Sequence, residues 1–160
     1  PYHEKYMGAA ADIASLNTSR TWNAANRAEF IPFLVTRQVA LSRFVWLNGL
    51  DVSGHVDAGV YNADGVLLRS IGSTAQTGTS ALQEVAVAEA TLPPGAYYAA
   101  FAADNTTATI ASALDGLGTA RTRMFGAFIQ ASAFPLPAVF TSSILATTMR
   151  GCYMALGFRL

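Results

Sequence analysis

The chain has one cysteine, Cys152, two histidines and a single lysine in 160 residues, and only 12% of its residues are charged. One thiol excludes an intrachain disulfide and any thiolate-built metal cluster. The setting of Cys152, "MRGCYMALGF", reads as an apolar strand in which the thiol is a small core residue. Ten basic residues, nine of them arginine, balance ten acidic ones, with no run of like charge. A nucleic-acid groove needs a concentrated basic stripe, so no nucleic-acid partner is expected. No apolar run approaches the roughly 18 residues that span a bilayer, so no membrane partner is expected either. The N-terminus lacks a basic region followed by an apolar core and is not read as a secretory signal. Pro1 fits removal of an initiator methionine, and the chain reads as nearly a whole gene product.

What is present is apolar: 52% of the residues, much of it alanine. A surface so poor in charge is weakly protected as a free monomer. Burial of part of the outside against copies of itself or a larger assembly is the expected resolution. The length suits one core.

Residues 1–29, "PYHEKYMGAAADIASLNTSRTWNAANRAE", show no two-residue alternation. They read as an N-terminal arm, irregular or briefly helical, that lies on its own domain or on a neighbour. Tyr2, Tyr6, Met7, Ile13, Leu16 and Trp22 are its candidate partner-contact residues. From Phe30 to the end the texture is β. Apolar stretches of 5–10 residues are separated by Gly, Pro, Asn and Asp, and no long helix is convincing. Residues 30–36 are short and apolar, with Pro32 implying a sheet edge or an irregular start. Residues 39–49 place Val39, Leu41, Arg43, Val45 and Leu47 on one face, with Phe44 and Trp46 on the other. In residues 55–62, Val56, Ala58 and Val60 oppose Asp57, Gly59 and Tyr61. Val85 and Val87 face together in 82–92. The expected fold is an all-β antiparallel sandwich of jelly-roll type, about eight strands, over residues 30–160.

Chemistry-bearing patterns are sparse. "VYNADGVLLRSI" carries Val60 and Ile71 where a calcium loop needs its first and last ligands, so Asp64 and Gly65 read as a turn. Pro93, Pro94 and Gly95 form a second turn signal. His55 and Asp57 share a strand face and could orient a base, but no G-x-S-x-G elbow supplies a nucleophile. The plainer reading is a surface pair at a strand start. Trp46, Tyr61, Tyr97 and Tyr98 are eligible sugar platforms, though such aromatics ordinarily fill a core. Paired carboxylates, phosphate cradles and dinucleotide turns are not evident. No enzyme activity, metal or cofactor is expected.

Three stretches in order carry a family signal: "FIPFLVTRQVALSRFVWLNGLDVSGHVDAGVYNADGVLLRSIGS", then "LPPGAYYAAFAADNTTATI", then "FGAFIQASAFPLPAVF" through "GCYMALGFRL". Together, over residues 30–160, they resemble small β-sandwich domains of tailed-bacteriophage virion proteins. That resemblance implies a non-enzymatic, usually trimeric virion component. Within that class the small size, low charge and N-terminal arm of the chain, and the lack of a fibre-stalk repeat, favour a capsid decoration or cement protein, with the major capsid protein and copies of itself as partners. The alternative it implies is a tail-fibre tip domain that recognises a host glycan through loops 48–55 and 104–109. It transfers no catalytic residue.

Overall fold

The structure, a computed structural model, describes residues 4–7, 18–112, 127–141 and 154–159. Every strand pairing among them is antiparallel. The strands are β1 (Glu4–Met7), β2 (Thr18–Thr21), β3 (Arg27–Val35), β4 (Val39–Leu47), β5 (His55–Asn62), β6 (Leu67–Ser70), β7 (Thr74–Ala75), β8 (Leu82–Leu92), β9 (Gly95–Ala103), β10 (Thr109–Ser112), β11 (Phe128–Gln130) and β12 (Met154–Arg159). One sheet runs β1-β12-β4-β8; a larger one runs β11-β3-β9-β5-β6, with β7 also on β5; β10 and β2 make a separate pair. The all-β sandwich class is therefore as expected. The described residues form twelve strands where about eight were expected.

The main core lies between the two sheets. Leu41, Phe44 and Trp46 of β4 meet Val56, Ala58 and Val60 of β5 and Phe101 of β9, and Val85 and Val87 of β8 pack against them. The Trp46 and Phe101 rings cross edge to face at 5.9 Å, a geometry that adds to the burial itself. Strict alternation along β4 fails at one place. Between Leu41 and Arg43 the strand advances two residues while β12 advances one, from Phe158 to Gly157. Ser42 is the extra residue, and its hydroxyl donates to the Gly157 carbonyl at 3.3 Å. This bulge moves Phe44 and Trp46 to the face of Leu41 and turns Arg43 and Val45 away. The face assignment expected for β4 is corrected accordingly.

The N-terminal arm is corrected as well. Residues 4–7 form a strand on β12, and residues 18–21 form one on β10. Trp22 is a core residue, 4% exposed. Its ring meets Phe101 edge-on at 5.5 Å, and its indole N–H donates to the Arg27 carbonyl at 2.8 Å. A boundary at 29/30 cuts β3, in which Ala28, Glu29 and Phe30 are all buried. Tyr6 and Met7 belong to a strand already paired within the chain. Tyr2, Ile13 and Leu16 lie outside the described residues.

Both turn readings hold. After β5, Gly65 N–H donates to the Asn62 carbonyl at 3.1 Å, and the Asn62 side chain accepts from Val66 N–H at 2.8 Å. Gly65 sits at φ +81°, and a Cβ there would meet the Phe140 ring at 3.1 Å. Gly65→Ala is expected to cost about 1–3 kcal/mol, for the left-handed backbone and the crowding together; urea unfolding measures it. Asp64 is exposed on this turn. Pro93 and Pro94 form a corner that takes the chain from β8 in one sheet to β9 in the other. There the Tyr97 hydroxyl donates to the Pro93 carbonyl at 2.8 Å, in the manner of a tyrosine corner; Gly95 begins β9.

The outer face of the larger sheet is covered too. Residues 131–141 cross it as a strap, from the β11/β3 side to β6 at the other edge. Ala133 N–H donates to Asn26 O at 2.7 Å, Leu67 N–H to Ala138 O at 2.9 Å, and Phe140 N–H to Gly65 O at 2.9 Å. Under the strap lies an aromatic cluster. Phe30 stacks on Phe128 at 4.6 Å, and Phe140 meets Tyr61 at 5.4 Å and Tyr98 at 5.2 Å. The apolar, proline-broken stretch expected as a connection is thus a second core layer.

Candidate functional site

His55 and Asp57 do not form a pair. His55, at the rim of the sandwich, places Nδ1 3.3 Å from Oδ2 of Asp104. The Asp104 carboxylate also accepts the His55 backbone N–H at 3.0 Å. Burial raises this carboxylate's pKa, but the bonds from His55 N–H, the Asn105 amide and the His55 ring, with the charge of His55, together hold it below the usual range. Asp57, two residues on, is enclosed beneath the strap. It accepts the Ser70 hydroxyl at 2.7 Å and the Leu136 N–H at 2.9 Å. Burial raises its pKa, against opposing bonds from Leu136, Ser70, Gly72 and Ala58. Beside it the Tyr61 hydroxyl donates to Pro137 O at 2.7 Å, and burial plus the Asp57 charge lift the phenol well above its ordinary value. Asp57 and Tyr61, two residue types that chemistry favours, are here used to fasten a strap.

Of the eligible sugar platforms, Trp46, Tyr61 and Tyr97 are buried, and Tyr98 is half-buried against Phe128 and Phe140. Their ordinary reading as core holds. Among the described residues no three His, Cys, Asp or Glu side chains converge as a metal site requires. No helix among them is long and apolar enough to cross a membrane. Cys152 lies outside the described residues.

Loops 48–55, 72–81 and 104–109 gather at one end of the sandwich, and their amides point inward. The Asn48 carbonyl oxygen accepts from Trp46 Nε1 at 2.8 Å and from Gln76 Nε2 at 2.9 Å. Its amide nitrogen donates to Thr77 O at 2.6 Å and Gln83 Oε1 at 3.0 Å. Gln76 also donates to Thr109 O at 2.9 Å and accepts Ser53 N–H at 2.9 Å. Asn105 accepts the N–H groups of Thr107 and Ala108 at 2.8 and 2.7 Å, folding its own loop. Each member is satisfied, so the network fixes three loops on one another. Outside it stand Leu50, 67% exposed, and Leu82, 71% exposed.

A second candidate surface is the back of the strap. Val66 and Val139 form an isolated bridge there and are 42% and 53% exposed. Residues 127–141, "AFIQASAFPLPAVFT", contain no charged side chain. Leu34, on the same side of β3 as Phe30, extends the apolar surface at 62% exposure. The charge-free run was the available sequence signal for this face; its place over Tyr61 and Tyr98 was not readable. Geometry of this kind recognises by shape and apolar contact. Comparison with family models, curated proteins and solved structures found no match for the chain.

Proposed function

We propose that the chain is a non-enzymatic structural protein of a tailed-bacteriophage virion, a capsid decoration or cement protein acting as a homotrimer. It binds the major capsid lattice and stabilises the head. The observation that carries this reading is the strap, whose residues 127–141 carry no charge, with Val66 and Val139 paired and exposed beside it. An apolar surface free of charge seats on a protein neighbour without desolvating ions. The resemblance of residues 30–160 supplies the virion class, and the low overall charge fits a subunit that spends its life in an assembly. With Trp22 committed to the core, the contact surface moves from the arm to the strap.

Gold labelling of intact virions with an antibody against the chain tests the location: label over the head is expected, and label confined to the tail tip defeats the head reading. Val66→Glu with Val139→Glu is expected to leave unfolding within about 0.5 kcal/mol per substitution. The same protein should lose head binding in co-sedimentation, and undiminished binding removes the strap from the interface. A second reading, a tail-fibre receptor-binding domain for a host glycan, places recognition at the end loops, beside which Leu50 and Leu82 stand exposed. Clear binding on a glycan array, abolished by substitution at Leu50, selects it.

A further inference from the structure

The chain's one Asn-Gly dipeptide, Asn48–Gly49, sits at the centre of the end-loop network. Asn-Gly is the dipeptide most prone to deamidation, because glycine leaves its own nitrogen unhindered. In that reaction the deprotonated Gly49 nitrogen attacks Cγ of Asn48. A new N–C bond closes a five-membered imide as the Cγ–Nδ2 bond breaks, and ammonia leaves with the proton. Water then opens the imide at either carbonyl, giving aspartate or isoaspartate.

We infer that Asn48–Gly49 is a latent deamidation site, held unreactive by the end-loop network, whose modification irreversibly unlocks that end of the sandwich. Each requirement of the reaction is blocked in the fold. The attacking nitrogen is occupied, since Gly49 N–H donates to Thr109 O at 2.9 Å. The leaving amide is held by Thr77 O and Gln83 Oε1, and its carbonyl by Trp46 and Gln76. Asn48 is buried, which keeps out the base and the water. Swinging Cγ onto the Gly49 nitrogen requires all of these bonds to open together, so modification proceeds only through local opening.

The pairing of these two residues has a packing origin. A Cβ at position 49 would overlap the hydroxyls of Ser19 and Thr109, so only glycine fits. Position 48 needs two donors and two acceptors on one short side chain, which is asparagine. Lability therefore comes with the design. Its products do not fit back: aspartate sets a carboxylate oxygen against the Thr77 and Gln83 acceptors. Isoaspartate inserts a backbone carbon just before Leu50 and Asp51, whose N–H groups are held by Ser19 and Thr109 hydroxyls at 2.8 and 2.7 Å.

The test is peptide mapping by mass spectrometry of the full chain aged in mildly alkaline buffer, folded and in urea, scoring aspartate and isoaspartate at position 48. Folded protein is expected to react at least about tenfold more slowly than unfolded protein, the mark of reaction through a rare open state. Equal rates overturn the inference. Gln76→Ala, which alters neither reacting residue but removes one bond to the Asn48 carbonyl, is expected to accelerate reaction at 48 several-fold while Asn62 on the exposed turn is unaffected. An unchanged rate in a folded Gln76→Ala protein removes the network's role. If that variant does not fold, Gln83→Ala makes the same comparison, and the folded-against-urea ratio of the native chain decides by itself.

Discussion

Trp22→Ala is expected to destabilise the protein by about 3–5 kcal/mol, the range for truncating a buried aromatic. In a chain of this size that lowers the melting temperature by roughly 10 °C. The indole contributes on three counts: it is buried with Phe101, Val56 and Ile110 in the main core, it meets Phe101 edge-on, and it satisfies the Arg27 carbonyl. Removal of residues 1–22 therefore takes a core residue and the strand paired to β10 along with the N-terminus. Such a truncation is expected to yield unfolded or aggregated protein, measured by circular dichroism and thermal melting. A truncated chain that melts like the intact one would restore residues 1–22 as a detachable arm. Trp22→Phe is the informative companion. It keeps most of the apolar burial and loses the indole bond, so a loss of about 1 kcal/mol separates hydrogen bond from packing.

Why Trp22 escaped the sequence reading is physical. Strand β2 is Thr18-Ser19-Arg20-Thr21, four polar residues with no apolar partner at two-residue spacing. Its conformation is imposed by β10, some ninety residues away. Periodicity reports only what a strand's own side chains bury. Where they alternate, as in Val56, Ala58 and Val60 or in Val85 and Val87, the reading succeeded, and the two turns were legible because Asp64-Gly65 and Pro93-Pro94 act locally. The bulge at Ser42 is the intermediate case. Both Leu41 and Phe44 are plainly apolar, but an odd separation puts them on one face only when an extra residue is known to intervene. The strap was the least legible part. Its prolines forbid a central strand, and only the tertiary fold reveals that an irregular apolar segment covers a sheet.

The candidate site divides the same way. Amides in loops 48–55 and 104–109 attracted a binding role because asparagine and glutamine in loops are ordinarily solvent-facing. Asn48 and Gln76 instead bond to each other and to backbone groups of opposed loops. Sequence separation hid the partners: Gln76 lies 33 residues from Thr109. Leu50 and Leu82 are the large apolar side chains left outward at that end, among exposed hydroxyls and His55.

Asp57 is expected to be the costliest polar residue to remove. Asp57→Ala strands the Ser70 hydroxyl and the Leu136 N–H beneath the strap, and two buried donors without acceptors cost about 3 kcal/mol or more. The loss should be local before it is global. With Leu136 unfastened, the strap and its Phe140 contact lift first, exposing Tyr61 and Tyr98 to hydrogen exchange and to apolar dyes. The pH dependence has a definite sign. Burial raises the folded-state pKa of Asp57, so the folded chain binds this proton more tightly than the unfolded chain does. The stability contributed by Asp57 therefore increases as pH falls through the raised folded pKa, and the gain is complete near about 3.9, where the unfolded carboxyl also protonates. Measured by urea unfolding from neutral pH downward, the stability difference between the native chain and Asp57→Ala should widen on acidification. A difference that narrows would mean the carboxylate is held below its ordinary pKa and that its hydrogen bonds outweigh its burial. Asp57→Asn keeps the volume and one acceptor, so it should lose less than the alanine variant, while its difference from the native chain widens on acidification in the same way, because neither variant titrates at position 57. An asparagine variant that matched the native chain at every pH would show that the charge of Asp57 contributes nothing and that one neutral acceptor is enough to fasten the strap.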